Sequence, residues 1–495
     1  MPEKINYRLV FLSIVLLECL SFLGFFYPPV NKAAFLLMAA GAFWLSFRRP
    51  ALALAIAFAE LAIGSKGYLF YFEYGGLSVS IRIAIWLAIM SVWLGRTILE
   101  VWRAKKINLL FIKENPQAKY FFLLFVFLAW GLANGYFRHN QPDNIFFDFN
   151  NWLYFFLVFP FFSVFRGRPE EFVSLIKVLF VAVIWVSLKT MFALYAFSHG
   201  LFFNFDFYRW IRTSGVGEIT AMPGSFSRIF FQSHIYVLLA SLAMTFGLLH
   251  ASGSKKRLFL TMAAQTLFLA VSLTSLSRSN WIGLAFGQLA VFAVYFLRSK
   301  NLKAFFWPAA CFFASFVLAV LLVGATVKFP FPAAMSNFNP SDLAERAGET
   351  ASEAGVASRW SLLPKLFEKI KAAPVLGGGF GSTVTYRSSD PRVLAANPSG
   401  EYTTYAFEWG WLDIWLKTGL FGALAYAALL FVIASAGIDS YLKAKAAPSF
   451  AGLVKIFGSV GLAVLSAVSF FSPYLNHPLG IGIIMLAALS ALLPD

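Results

Sequence analysis

Apolar runs of about twenty residues, separated by short polar or charged punctuation, recur along the whole of this 495-residue chain. At about 1.5 Å per residue, such a run crosses the roughly 30 Å hydrocarbon core of a bilayer as a helix. Centres near residues 17, 40, 57, 88, 128, 155, 184, 240, 266, 289, 315, 420, 460 and 484 predict about fourteen spans, several of them short or interrupted. The fold class is therefore an all-α polytopic integral membrane protein with about 12–14 transmembrane helices. The first run, 9–26, lacks a small-residue cleavage site and is expected to stay as a helix. The longest interruption, 328–402, is a large loop with short amphipathic helices. Within it, Trp360, Leu363, Leu366, Phe367 and Ile370 recur at helical spacing opposite Lys365, Glu368, Lys369 and Lys371, and Pro374 ends the run. This helix is expected to lie along the membrane surface. The chain then divides into N-terminal spans (1–198), spans with an Arg-bearing loop and hairpin (199–327), the large loop (328–403) and C-terminal spans (404–495).

Composition narrows the class. Hydrophobic residues make up 59% and charged residues 13% of the chain, which no soluble domain could hide. The net charge of +17 would suggest nucleic acid in a soluble protein. Here the basic residues cluster in alternate short connections: Arg48-Arg49, 96–119, Arg166 and Arg168, Lys255 to Arg257, 298–303 and 443–445. Such clusters set topology, so the bilayer is the partner and nucleic acid is not. The rule places the N-terminus in the cytoplasm. It puts connections 27–32, 64–80, 137–148, 199–228, 277–280, 328–402 and 471–478 outside. The large loop is near charge balance, with eight basic and seven acidic residues. Cys19 and Cys311 both lie in apolar runs and suggest neither a disulfide nor a metal site.

Ionisable groups within spans are functional candidates because hydrocarbon disfavours them. Glu18, Glu60, Arg82 and Lys189 are such groups, and pairing with a neighbouring helix is their structural alternative. His234 is likewise expected to bond to an adjacent helix rather than to act. In the 199–228 loop, Arg212 precedes a Gly- and Pro-containing stretch, and Arg228 is expected at the mouth of a helix starting near Ile229. The tight hairpin 274–283 carries Arg278 as its polar tip, either a phosphate fork or a head-group anchor. Arg359 opens the amphipathic helix. Backbone amides in the run Gly377-Gly378-Gly379-Phe380-Gly381 could face an anion, although the run lacks a P-loop ending and could equally be a turn. Beyond it, Glu408, Trp409, Trp411, Asp413, Trp415 and Lys417 crowd the start of the next span. The indoles suit either an interfacial belt or sugar stacking. Glu408 is the candidate base, expected to be tuned by partial burial.

Three features together resemble the bacterial O-antigen ligase and polysaccharide polymerase superfamily. They are Ser277-Arg278 with Trp281 and Gly283, Arg359-Trp360 followed by Pro374-Val-Leu-Gly-Gly-Gly-Phe-Gly381, and Gly419-Leu-Phe-Gly422. The resemblance covers about residues 205–435 at motif level. It implies an inverting, metal-independent membrane glycosyltransferase without cofactor, in the bacterial inner membrane with its active site facing the periplasm. The donor would be an undecaprenyl-diphosphate-linked oligosaccharide and the acceptor a glycan, with a chain-length regulator and a flippase as candidate partners. Carried onto this chain, Arg278, Arg359 and Glu408 become the catalytic candidates. Arg228, Arg212, Gly378, Gly379, Trp409 and Trp411 become the substrate-binding ones. Ligases of the family carry His-Asn, nine residues, then Gly-x-x-Gly. Counting back from Gly419, those positions are Glu408 and Trp409. That departure favours a repeat-unit polymerase over a ligase acting on a lipid-core or protein acceptor. A lipid-linked oligosaccharide flippase is the competing class, but no two related halves are visible in the chain.

Overall fold

The computed structural model describes residues 5–105, 111, 115–222, 226–250, 254–301, 303–348, 354–444 and 449–493. Pro223, Gly224 and Ser225 of the Arg-bearing loop, Lys445 and residues 106–110, 112–114 and 302 of the basic clusters, and 349–353 of the large loop lie outside the described residues.

The first half of the chain forms α1 (Tyr7–Phe26), α2 (Pro28–Arg48), α3 (Pro50–Gly64), the hairpin β1 (Tyr71–Tyr74) and β2 (Leu77–Ser80), then α4 (Ile81–Ala104) and α5 (Ala118–Phe137). Next come α6 (Pro142–Asn150), a 3-10 segment (Asn151–Leu157) and α7 (Val158–Phe165), which together make one interrupted span, then α8 (Pro169–Ser198). The middle contains α9 (Asn204–Thr213), the hairpin β3 (Gly217–Thr220) and β4 (Arg228–Phe231), α10 (His234–Leu249), α11 (Lys255–Thr274), α12 (Arg278–Ser299) and α13 (Lys303–Val327). The large loop forms α14 (Pro340–Gly348), α15 (Ala354–Ala372), and β5 (Val384–Arg387) and β6 (Glu401–Thr404) around α16 (Pro391–Ala396). The chain closes with α17 (Gly410–Lys443), α18 (Phe450–Val468) and α19 (Pro478–Ser490). Prolines open several of these helices, among them α2, α3, α6, α8 and α19, where a missing N–H costs no intrahelical bond.

Among the described residues, eleven helical stretches are long and apolar enough to cross a membrane, and three shorter apolar helices accompany them. Each of the fourteen spans expected from the hydrophobic pattern coincides with one of these. The short ones, α3, α10 and α19, are buried on nearly every side, with Leu54, Phe58, Val237, Leu242, Ile481 and Ile484 in the core. A helix enclosed by protein does not have to match the thickness of the lipid around it. By contrast, α1, α2 and α13 expose Leu12, Leu16, Leu37, Phe313 and Leu321, a surface suited only to lipid.

The ionisable groups inside the spans are paired. Lys189 Nζ lies 2.6 Å from Glu18 Oε1, and Arg82 Nε lies 2.8 Å from Glu60 Oε2, all four side chains buried. His234 meets the Thr190 hydroxyl at 2.9 Å. In each case the structural alternative holds.

Three local expectations are corrected. Among the described residues, three two-stranded antiparallel pairs, too short to leave a clear alternation, punctuate the all-α fold. Arg228 is not at a helix mouth: it begins β4 opposite Thr220, and the helix starts only at His234. The buried stripe of α15 is Leu362, Leu366 and Ile370, while Trp360 and Phe367 stay largely exposed. The stripe packs on Val384, Phe407 and Leu416, so neighbouring protein rather than the periodicity of large residues sets its phase.

Replacing Lys189 by Met should lower stability by about 3 kcal/mol, because it leaves the Glu18 carboxylate buried without its partner. Thermal unfolding of purified protein in detergent measures this. Glu18→Gln combined with Lys189→Met should recover most of the loss.

Candidate active site at the loop end of the bundle

Three guanidinium groups from separate segments share one end of the bundle. Arg278 is the first residue of α12, set there by the turn Ser275–Ser277, in which Leu276 adopts φ 45°. Its Nε donates to the Arg346 carbonyl at the end of α14 (3.2 Å). Arg228 Nε donates to the Ser275 carbonyl of the same turn (2.9 Å), and its guanidinium lies over the Phe230 ring. Arg359, on the first turns of α15, meets Glu408 in an ion-pair contact.

Arg228 and Arg359 each sit in the field of neighbouring guanidinium groups. Burial pulls Arg359 below the usual guanidinium range, Arg228 and Arg278 push it further down, and Tyr386 opposes them. Burial also lowers Arg228, with Glu218 opposing and Arg278 adding to the shift. A guanidinium remains charged under such shifts, so this end of the bundle concentrates positive charge in a partly desolvated site. Such a site attracts an anion with several oxygens. Arg212 stands one step away: it pairs with Glu218, which Arg392 of α16 also approaches at 4.0 Å.

Glu408 is where the motif count puts it but not in the expected environment. α17 starts at Gly410, so Glu408 lies on the loop before it. Its side chain is 49% exposed, and Arg359 is its ion-pair partner. Trp409 donates its indole N–H to the Arg359 carbonyl (3.1 Å) and packs on Trp360 and Phe471. Trp411 donates to the Ser466 carbonyl and packs on Phe470 and Tyr426. Both indoles hold helices and loop together.

The glycine run is also corrected. Four of its five amides are already engaged: Gly377 with the Ala373 carbonyl, Gly378 with Leu416, Phe380 with Gly131, and Gly381 with Asp148 Oδ2. Gly378 and Gly379 are buried, and a Cβ on Gly379 (φ 79°) would run into the backbone of Asn134 and Gly135. The run is a docking strap rather than an anion nest. It fits a break in α17 at Gly419 (φ 75°, ψ 176°), a conformation open to glycine and little else. There the Leu420 amide donates to the Pro374 carbonyl (3.0 Å), and the freed Leu416 carbonyl accepts from Gly378 (2.6 Å). The two glycine motifs are therefore halves of one joint.

Reading the sequence missed the buried cluster beside this joint, in which Lys417 bridges Asp148 and Asp413. The i,i+4 spacing of Asp413 and Lys417 at the start of a span was the available signal. Nothing in the sequence pointed to Asp148 on α6 as their partner.

Comparison with known proteins finds a family likeness. No curated protein matches the chain. Residues 263–427, however, match the family model described as O-antigen ligase. The matched stretch contains Arg278, Arg359, Glu408 and both halves of the glycine joint, and Arg228 falls outside it. The chain is thus a multi-pass membrane protein whose residues 263–427 are similar to the O-antigen ligase family.

Proposed function

We propose that this protein is a repeat-unit polymerase that transfers a glycan from an undecaprenyl-diphosphate donor to the end of an acceptor glycan, on the periplasmic face of the inner membrane. The observation that carries this is the meeting of Arg228, Arg278 and Arg359 from β4, α12 and α15 beside one carboxylate, Glu408.

The chemistry follows from that arrangement. An acceptor hydroxyl attacks the anomeric carbon, the bond from that carbon to the diphosphate oxygen breaks, and the configuration inverts. Charge grows on the departing diphosphate, and guanidinium groups held in a partly dehydrated site stabilise it in place. The diphosphate displaces Glu408 as the partner of Arg359. The freed carboxylate then takes the proton of the attacking hydroxyl within hydrogen-bond reach. The lipid tail remains in the bilayer beside the bundle, and no metal is needed for any of these steps.

A ligase acting on a lipid-core or protein acceptor is the second reading, favoured by the description of the matching family. The carboxylate at position 408, where ligases carry histidine, favours the polymerase.

Purified protein in proteoliposomes, given lipid-linked repeat units and a chelator, should produce a product ladder. Arg278→Ala and Arg359→Ala should each reduce it by about 10²- to 10³-fold, the usual cost of removing one preorganised charge donor. Glu408→Gln should reduce turnover by about 10²-fold while donor binding persists. Transfer to an added lipid-core acceptor without a ladder would establish the ligase. Normal ladders from both Arg278→Ala and Glu408→Gln would overturn the mechanism. Movement of substrate across the bilayer without any product would make the protein a flippase.

A further inference from the structure

The proposed mechanism uses Arg359 and Glu408 but gives no role to the largest buried charge cluster nearby. Lys417 Nζ lies 2.5 Å from Asp148 Oδ1 and 2.5 Å from Asp413 Oδ1, with all three side chains at most 6% exposed. Asn476, on the connection between α18 and α19, donates to Asp413 Oδ2. The Gly381 amide donates to Asp148 Oδ2 at 2.9 Å. The Phe407 ring lies 5.4 Å from Nζ. Four segments thus converge on one ammonium: α6, the glycine strap, the start of α17 and the 471–478 connection. Burying three charges is costly, and apolar side chains commonly hold such a junction at least as stably. A need for exact placement explains the cluster better than stability does.

What it places is a short block. The break at Gly419 separates residues 410–418 from the rest of α17, so this first segment does not inherit its position from the long helix below. Glu408 sits two residues ahead of the block. Trp409 ties the same stretch to Arg359 through its indole hydrogen bond, so a shift of the block moves both groups together. Arg228 and Arg278 are carried on other elements, β4 and α12.

We propose that Lys417 is a positioning residue for glycan transfer: by clamping Asp413 to Asp148 it fixes the 410–418 block, and through it aligns Glu408 and Arg359 with the other two arginines. The proposal rests on the function proposed above. It predicts a loss in the chemical step larger than the loss in donor binding, because a misplacement of about 1 Å can cost about 10²-fold in rate.

The test uses full-length protein in proteoliposomes with lipid-linked repeat units. It compares Lys417→Met, Lys417→Arg and the charge-free triple variant Asp148→Asn/Asp413→Asn/Lys417→Met. The triple variant guards against misfolding caused by two unpaired buried carboxylates. The expected result is a fall in kcat of about 10²-fold in the triple variant with donor KM changed less than about threefold, and recovery to within about tenfold of wild type in Lys417→Arg. Hydrogen exchange should speed up in peptides covering 376–382 and 405–418 and stay unchanged in the other spans. Wild-type kcat in the folded triple variant would overturn the proposal. So would faster exchange throughout the bundle with kcat falling in step, since the cluster would then be an anchor only. If wild-type protein makes no glycan product, the function proposed above falls, and the exchange pattern alone decides whether Lys417 fixes the block.

Discussion

The joint between the glycine strap and the broken helix is the constraint on which this end of the molecule depends. A helix that breaks inside a membrane protein frees backbone groups that hydrocarbon cannot satisfy. Here the exchange is reciprocal: Pro374 accepts from Leu420, and Leu416 accepts from Gly378. Positive φ at Gly377, Gly379, Gly381 and Gly419 lets two backbones approach closely enough for this. Asn134 and Asn140 secure the other side of the strap by donating to its carbonyls. The large loop is therefore riveted to α5, α6 and α17 at its C-terminal side, directly after the helix that carries Arg359.

That rivet makes a cluster of like charges tolerable. Arg278 lowers the proton affinity of Arg228, and both lower that of Arg359, a repulsion that flexible loops would relieve by moving apart. Each is instead held on a separate support: a strand pair, the first residue of a span, and a helix whose buried stripe packs on Phe407 and Leu416. Backbone carbonyls of Ser275 and Arg346 absorb part of the charge, and Glu408 absorbs more. Under the function proposed above, a site preorganised in this way needs little rearrangement to receive a diphosphate.

Elsewhere in the bundle, charge serves cohesion. Glu18–Lys189 and Glu60–Arg82 connect α1 to α8 and α3 to α4 inside the apolar core. These pairs differ from the arginine cluster in lying within the bundle, each cation buried against its carboxylate. Lys417 resembles them in burial but has two carboxylates, and it stands next to the working loop rather than at mid-bundle.

Span number, the large loop and its amphipathic helix were legible in the sequence, because lipid imposes a length and an apolarity that each segment must meet on its own. Arg278, Arg359 and both glycine motifs were legible for a related reason: each sits at a local landmark, a tight turn, a helix start or a run of glycines. The phase of α15, the pairing of Arg228 into a strand and the true role of Gly378 and Gly379 were not. They depend on which surface arrives opposite, as Gly131, Gly135 and Leu416 do for the strap. The same holds for Lys417, whose i,i+4 partner Asp413 can be read from the chain while Asp148, 269 positions away, cannot. Local periodicity determined what spans the membrane. Contacts between distant segments, which carry no local signature, decided which charges face one another and which backbone amides remain to meet a substrate.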